Sequence, residues 1–148
     1  MSTYTKINTA VDAMNTMLSA ATDLGWATGI TIHEKDEHPI IPAERGELPK
    51  VYNIPVMEGG MEINTTIDTA MYLSFPMTIV AYYLGTDVDT DLRTTRNYGL
   101  NFVDKLRTTN NFGEAWLTGA HLDVGYWEAV DRVIHYWACK VEFEILST

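Results

Sequence analysis

Apolar residues recur at steps of three and four through the first segment. Ile7, Ala10, Val11, Met14, Met17, Leu18, Ala21 and Leu24 fall on one stripe, which predicts a helix. Thr3 or Thr5 is placed to cap its start, and Gly25 to take a left-handed conformation just past its end. The period then changes. Trp26 to His33 is a short β-like run, and Glu34 to Pro49 is a loop, because Pro39, Pro42 and Pro49 remove backbone donors. Lys50 to Met57 alternates as a strand through Val51, Ile54 and Val56, with Pro55 marking an edge or an end.

Beyond the Glu58-Gly59-Gly60 turn, Met61 to Thr69 alternates Met61, Ile63, Thr65 and Ile67, as a β arm would. Met71 to Leu84 is rich in Tyr, Phe, Ile and Val and predicts a strand, with a break or bulge at Pro76. A second helix is predicted from Val88 to Arg107, with Val88, Leu92, Thr95, Gly99, Phe102, Val103 and Leu106 on one face. Asp87, Asp89 and Asp91 stand at its positive end, and Lys105 and Arg107 at its negative end. Two strands close the chain: Ala115 to Val124, then a turn region reaching Asp131, then Arg132 to Leu146. In the last, Trp137, Cys139, Val141, Phe143 and Ile145 point one way and Lys140, Glu142 and Glu144 the other. One buried face and one wet face indicate an antiparallel sheet.

The pattern therefore predicts a single α+β domain over residues 1–148: two helices packed on one face of a mostly antiparallel β-sheet, with a projecting β arm. Trp137, Val141 and Phe143 are expected to be buried against Val11, Met14, Leu18, Phe102 and Leu106. A chain of 148 residues buries roughly 68–70% of its unfolded surface, enough for a core without staples.

Charge narrows the partners. Twenty acidic residues against ten basic ones give a formal charge of −10, with no basic run, so the surface repels nucleic acid and anionic membrane. No run approaches the 18 apolar residues of a membrane span, no secretory signal is evident, and Cys139 has no partner cysteine. Synthesis and folding in cytosol are expected.

Candidate chemistry is sparse. His33 and His38 are five apart, one too many for two zinc ligands on one helical face. Asp87, Asp89 and Asp91 open like a calcium loop, but Leu92 and Tyr98 stand where Gly and a bidentate Glu are required, so helix capping is the expected role. Neither zinc nor calcium nor any cofactor is expected. His135 and Cys139 lie on one strand face, with His121 on the strand before. The default is a core cysteine and a satisfied histidine; the alternative is a small metal- or Cys-dependent enzyme.

The order of elements resembles the lambda-type family of phage tail terminators and tail-completion proteins. The likeness rests on the first helix ending at Leu24-Gly25, the Pro-led strand Pro49-Lys50-Val51-Tyr52-Asn53-Ile54-Pro55-Val56, the arm from Glu58 to Thr69, the second helix between β segments, and the hairpin from Ile134 to Ile145. The resemblance implies a non-enzymatic virion protein, made in the host cytoplasm. It implies a hexameric ring that caps the tail-tube protein and joins it to head connector proteins, with DNA passing through the lumen. The acidic balance suits a lumen that does not hold DNA. Another neck component, such as a head-closure or stopper protein, is the alternative within the same class.

The arm carries the partner-binding expectation. Gly59 and Gly60 give a flexible root, and an alternating strand edge can pair with another chain. Glu58, Gly59, Gly60, Met61, Glu62, Ile63, Asn64, Thr65 and Ile67 are the residues expected to meet a neighbouring subunit or the tail tube. The bland counterpart is a plain hairpin strand inside the sheet.

Overall fold

A computed structural model describes residues 2–35, 48–55, 61–65, 70–85, 87–109, 111–129 and 132–147. Its elements run α1 (Thr3–Ala20), β1 (Ile32–Glu34), β2 (Lys50–Ile54), β3 (Glu62–Thr65), β4 (Met71–Gly85), α2 (Val88–Thr108), β5 (Trp116–Ala129) and β6 (Arg132–Ser147). The strands form one open sheet in the order β1-β2-β4-β6-β5, with β3 also paired to β4. Only β1 with β2 is parallel; the other pairings are antiparallel. The predicted α+β class is what the chain adopts.

Alternation sets which side of the sheet meets the helices. Phe75, Met77, Ile79 and Ala81 of β4 pair with Phe143, Val141, Cys139 and Trp137 of β6, and all eight are buried on one face. The stripe of α1 (Ala10, Val11, Met14, Leu18) and that of α2 (Phe102, Leu106) close over this face, so the predicted core is present. Aromatic rings fill its centre: Phe102 stacks on Trp137 at 4.8 Å, and Phe143 meets Phe75 at 5.6 Å and Phe112 at 5.0 Å. At Gly99 a Cβ would stand 3.0 Å from Leu122 Cδ1 and 3.3 Å from Trp137 Cβ, so the missing side chain sets how closely α2 approaches the sheet.

The β-like run from Trp26 to His33 forms a strand only at Ile32–Glu34, and three further expectations need correction. The first helix starts after Ser2, whose Oγ accepts from the Thr5 N–H, and it ends at Ala20, not at Leu24. There the Leu18 carbonyl is claimed by the Ala21 N–H and by the buried indole N–H of Trp26, which turns the chain back on itself. Leu24 is still fully buried, but from the loop. Gly25 has φ of 91°, and a Cβ there would fall 2.6 Å from the Tyr98 ring, so the turn needs glycine on two counts.

Second, β4 runs through Pro76 without a break, in register with Glu142. β3 covers β4 up to Ser74 and β2 covers it from Thr78. The proline lies in the gap between them, where that side of β4 makes no ladder bonds with either strand. Third, β5 extends past Val124 to Ala129, because its pairing with β6 continues through Tyr126↔His135 and Trp127↔Ile134. A bulge between Leu117 and Gly119 shifts its alternation by one residue.

The second face of the sheet is wet only in part. Lys140, Glu142, Glu144, His121 and Asp123 occupy its middle, with Lys140 paired to Glu142 at 3.4 Å and Ser74 donating to Glu144 at 3.3 Å. Toward β2, however, Tyr52, Ile54, Val80, Tyr82 and Ile134 are buried in a second cluster. The Tyr82 ring lies about 6 Å from Tyr52, Trp127 and Tyr136, and burial pushes its phenol pKa up to about 12.

Candidate functional site

Among the described strands of this open sheet, β1, β3 and β5 each pair on one side only. β3 pairs with β4 alone and β5 with β6 alone among the described strands, so each has one ladder edge without a strand partner. A bare edge is a template for another chain.

The predicted arm falls on one flank. Glu62 to Thr65 is not free of the domain: it pairs antiparallel with Met71–Ser74, because the pairing satisfies one side of its backbone. These residues form an ordinary strand of the sheet. Glu58, Gly59, Gly60 and Ile67 lie outside the described residues. Ile63 on this strand and Met61 just before it remain 56% and 38% exposed. Nearby, Met71 and Tyr72 of β4 and Trp116 of β5 are also exposed, with Tyr72 and Trp116 in edge contact at 6.1 Å. One end of the sheet thus carries exposed large apolar side chains on both faces, Ile63 and Met71 on the helix side and Tyr72 and Trp116 on the other.

A second group lies at the opposite end. Register places Leu84, Ile134 and Trp127 side by side across β4, β6 and β5. Leu84 and Trp127 are exposed, as is Tyr126, whose pairing with His135 turns it to the opposite, helix face. Sequence alone did not single out Leu84 and Trp127, since their neighbourhood depends on the register of three strands. The only local signal was their aromatic and aliphatic character at strand ends.

The histidine and cysteine candidates separate. Pairing with Lys140 sends His121 to the wet face, where its Nε2 stands 3.3 Å from Asp123 Oδ1. Cys139 is fully buried on the helix face, and that burial pushes its thiol pKa up to about 12. No thiolate is available there to act as a nucleophile. Cys139 is expected to resist a soluble disulfide reagent in the folded protein and to react at once in denaturant; rapid labelling of the native form would contradict its placement.

The acidic trio at the start of α2 caps it. Asp87 Oδ1 accepts from the Asp89 N–H at 3.1 Å, and Asp91 Oδ2 accepts from the Asp87 N–H at 2.7 Å. Among the described residues no three His, Cys, Asp or Glu side chains are grouped as a metal would need. His33 stands in β1 against the Tyr52 ring at 5.5 Å, while His38 lies outside the described residues.

His135 is the unusual polar group. It is fully buried beneath α2, and neither ring nitrogen makes a hydrogen bond. Asp91 Oδ2 lies 3.6 Å from its Nε2. The expected satisfied histidine is therefore not what the fold provides. Burial holds the imidazole pKa below its usual 6.5, against the opposing pull of Asp91. As pH falls through about 6.5 the unfolded chain takes up this proton first, so folded stability is full above that pH and declines from there down to the folded-state pKa. Urea midpoints measured from pH 7.5 to 5.5 should fall, and His135→Gln should flatten that slope; an equal slope in both proteins would contradict this origin.

No described helix is long and apolar enough to cross a membrane. No protein-family model and no curated protein matches this chain.

Proposed function

We propose that this chain is a ring-forming structural subunit of the tail-terminator kind, seated on a phage tail tube, joined to the head connector and resident in the virion. The observation that carries the reading is the pair of unlike apolar groups at opposite ends of an open sheet. At one end Ile63 and Met71 lie on the helix side of the sheet, with Met61 just before β3, and Tyr72 and Trp116 lie on the other side; at the opposite end Leu84 and Trp127 share the side away from the helices, and Tyr126 lies on the helix side. Unlike patches suit head-to-tail contact between copies, and such contact closes into a ring when the rotation per subunit allows it. Large exposed apolar groups on a single chain are also what a subunit waiting for partners displays.

The edges of β3 and β5 that no described strand covers add backbone donors and acceptors at those ends. The element order, helix, strands, helix and closing hairpin, fits the same reading. A formal charge of −10 suits a channel through which DNA passes without being held.

The test is capping. Tail-tube protein polymerised in vitro should stop lengthening when this chain is added, with extra density at one tube end by electron microscopy. Tubes that grow to the same length, with bare ends, would overturn the proposal.

A further inference from the structure

β5 is an unusual edge. It is 14 residues long, and among the described strands only β6 pairs with it. Edge strands are ordinarily short, or guarded by Lys, Pro or a bulge, because their backbone groups recruit other chains. β5 has no Lys, Arg or Pro, and its bulge guards only the stretch before Gly119. From Trp116 to Glu128 no side chain is buried, whereas β6, with a strand on either side, buries alternate residues from Trp137 to Ile145. Leu117, Leu122 and Val124 pack against the core but stay only partly buried. The core thus stops half-covered along this edge.

The strand is complementary to itself. Two copies that continue one sheet with their helices on the same side pair antiparallel about a two-fold axis centred on one residue of the strand. A centre between residues would set the helix face of one copy beside the second face of the other. With the axis at Leu122, that residue meets its own copy, Ala120 stands opposite the partner's Val124, and His121 stands opposite the partner's Asp123. A centre on His121 or on Asp123 would instead set like groups face to face. His121 and Asp123 already meet along their own strand at 3.3 Å, and both are exposed. Neither has to give up that contact, because a carboxylate accepts from more than one donor and a protonated imidazole has two N–H groups. The four groups then alternate in sign across the axis.

The same axis sets Gly119 opposite the partner's Gly125. Gly125 is required within its own chain, since a Cβ there would stand 2.5 Å from the Tyr136 hydroxyl that lies over it. Gly119 is not: a Cβ there would meet nothing within 4 Å, and its φ lies outside the left-handed region. A strand glycine of this kind suits the close approach of another chain. Directly opposed residues on one face hold their Cβ atoms only about 5 Å apart, so the group that approaches Gly119 is the partner's Tyr136.

We propose that the β5 edge binds a second copy of this chain: Gly119 to Gly125 pair antiparallel with the same stretch of the partner about a two-fold axis at Leu122, joining two sheets into one. In a head-to-tail ring β5 faces a different strand, so this pair is a state of the free chain that parts on assembly. It stands whether or not the ring reading holds.

Sedimentation velocity of the full chain, without tail-tube protein, tests it at about 0.15 M salt and up to about 1 mM protein. A two-chain species should appear in reversible equilibrium with single chains. Gly119→Trp should weaken the association about tenfold or more by collision with the partner's Tyr136. His121→Glu should do the same by setting a carboxylate opposite the partner's Asp123. Gly119 has open space over it and His121 is exposed, so the urea midpoints of both variants should match the parent, which separates a lost contact from a lost fold. Adding Asp123→Lys to His121→Glu should restore pairing to within about threefold, because the charges are then exchanged across the same axis. Absence of a two-chain species, undiminished association in His121→Glu or in a folded Gly119→Trp, or a double variant that pairs no better than His121→Glu alone would each overturn the proposal. None of these outcomes bears on the capping of tail tubes, which is measured with the tube protein present.

Discussion

Phe143→Ala should lower folding stability by about 3–5 kcal/mol. Phe143 is fully buried at the centre of β6 and meets Phe75 on β4 and Phe112 in the segment after α2. Truncation removes the transfer energy of the ring and leaves a cavity among groups that cannot collapse. β4 and β6 are locked by ladder bonds over the whole length of β4, and α2 is held against them by Phe102 and Leu106. A loss of this size is a large part of the total stability of a domain of this length. Urea denaturation of both proteins measures it; an unchanged midpoint would overturn the packing described.

Ile63→Lys should act in the opposite sense, sparing the fold and abolishing assembly. The side chain is 56% exposed on an edge strand, so its replacement should alter stability by no more than about 0.5 kcal/mol. Under the ring reading it enters an interface with the next subunit or the tube, and a lysine there is buried without a partner. Loss of affinity should be at least tenfold, about 1.4 kcal/mol. Leu100→Lys is the control: Leu100 is 48% exposed but belongs to α2 and not to β3 or either end of the sheet. Sedimentation of the three proteins with tail-tube protein should show Ile63→Lys alone failing to assemble. Equal assembly of all three would remove β3 from the contact.

The elements that could be read from the chain are those whose burial pattern agrees with their local period. α2 is the clearest: its stripe at Thr95, Gly99, Phe102 and Leu106 faces the sheet, and its aspartates cap it as their spacing implied. β6 follows, with Trp137 to Ile145 buried at alternate positions. Where tertiary contacts decide, reading failed. The stripe of α1 continued to Leu24, yet the Trp26 indole captured the Leu18 carbonyl and ended the helix early. Pro76 looked like a break because its place opposite the gap between β2 and β3 is a matter of pairing, not of sequence. The second apolar cluster was hidden for a similar reason. Ile134, Tyr136 and Ala138 alternate with the main core on the same strand, so both faces of β6 are apolar at that end.

The candidate site was legible to the same degree. Met61 and Ile63 stood out because an alternating run followed two glycines. Leu84 and Trp127 did not, since three strands must be in register before they become neighbours. His135 and Cys139 were placed correctly on one buried face, but His121 was not their companion, because the pairing of β5 turned it away. Nothing local revealed that His135 would be buried without a hydrogen bond.

The central claim is that this chain assembles into a ring. Mass photometry of the purified protein, alone and with tail-tube protein, tests it most directly. The account predicts a discrete species of several chains, six by the family resemblance, present alone or induced by the tube protein. A single-chain species under both conditions, at concentrations that saturate the tube ends, would contradict it.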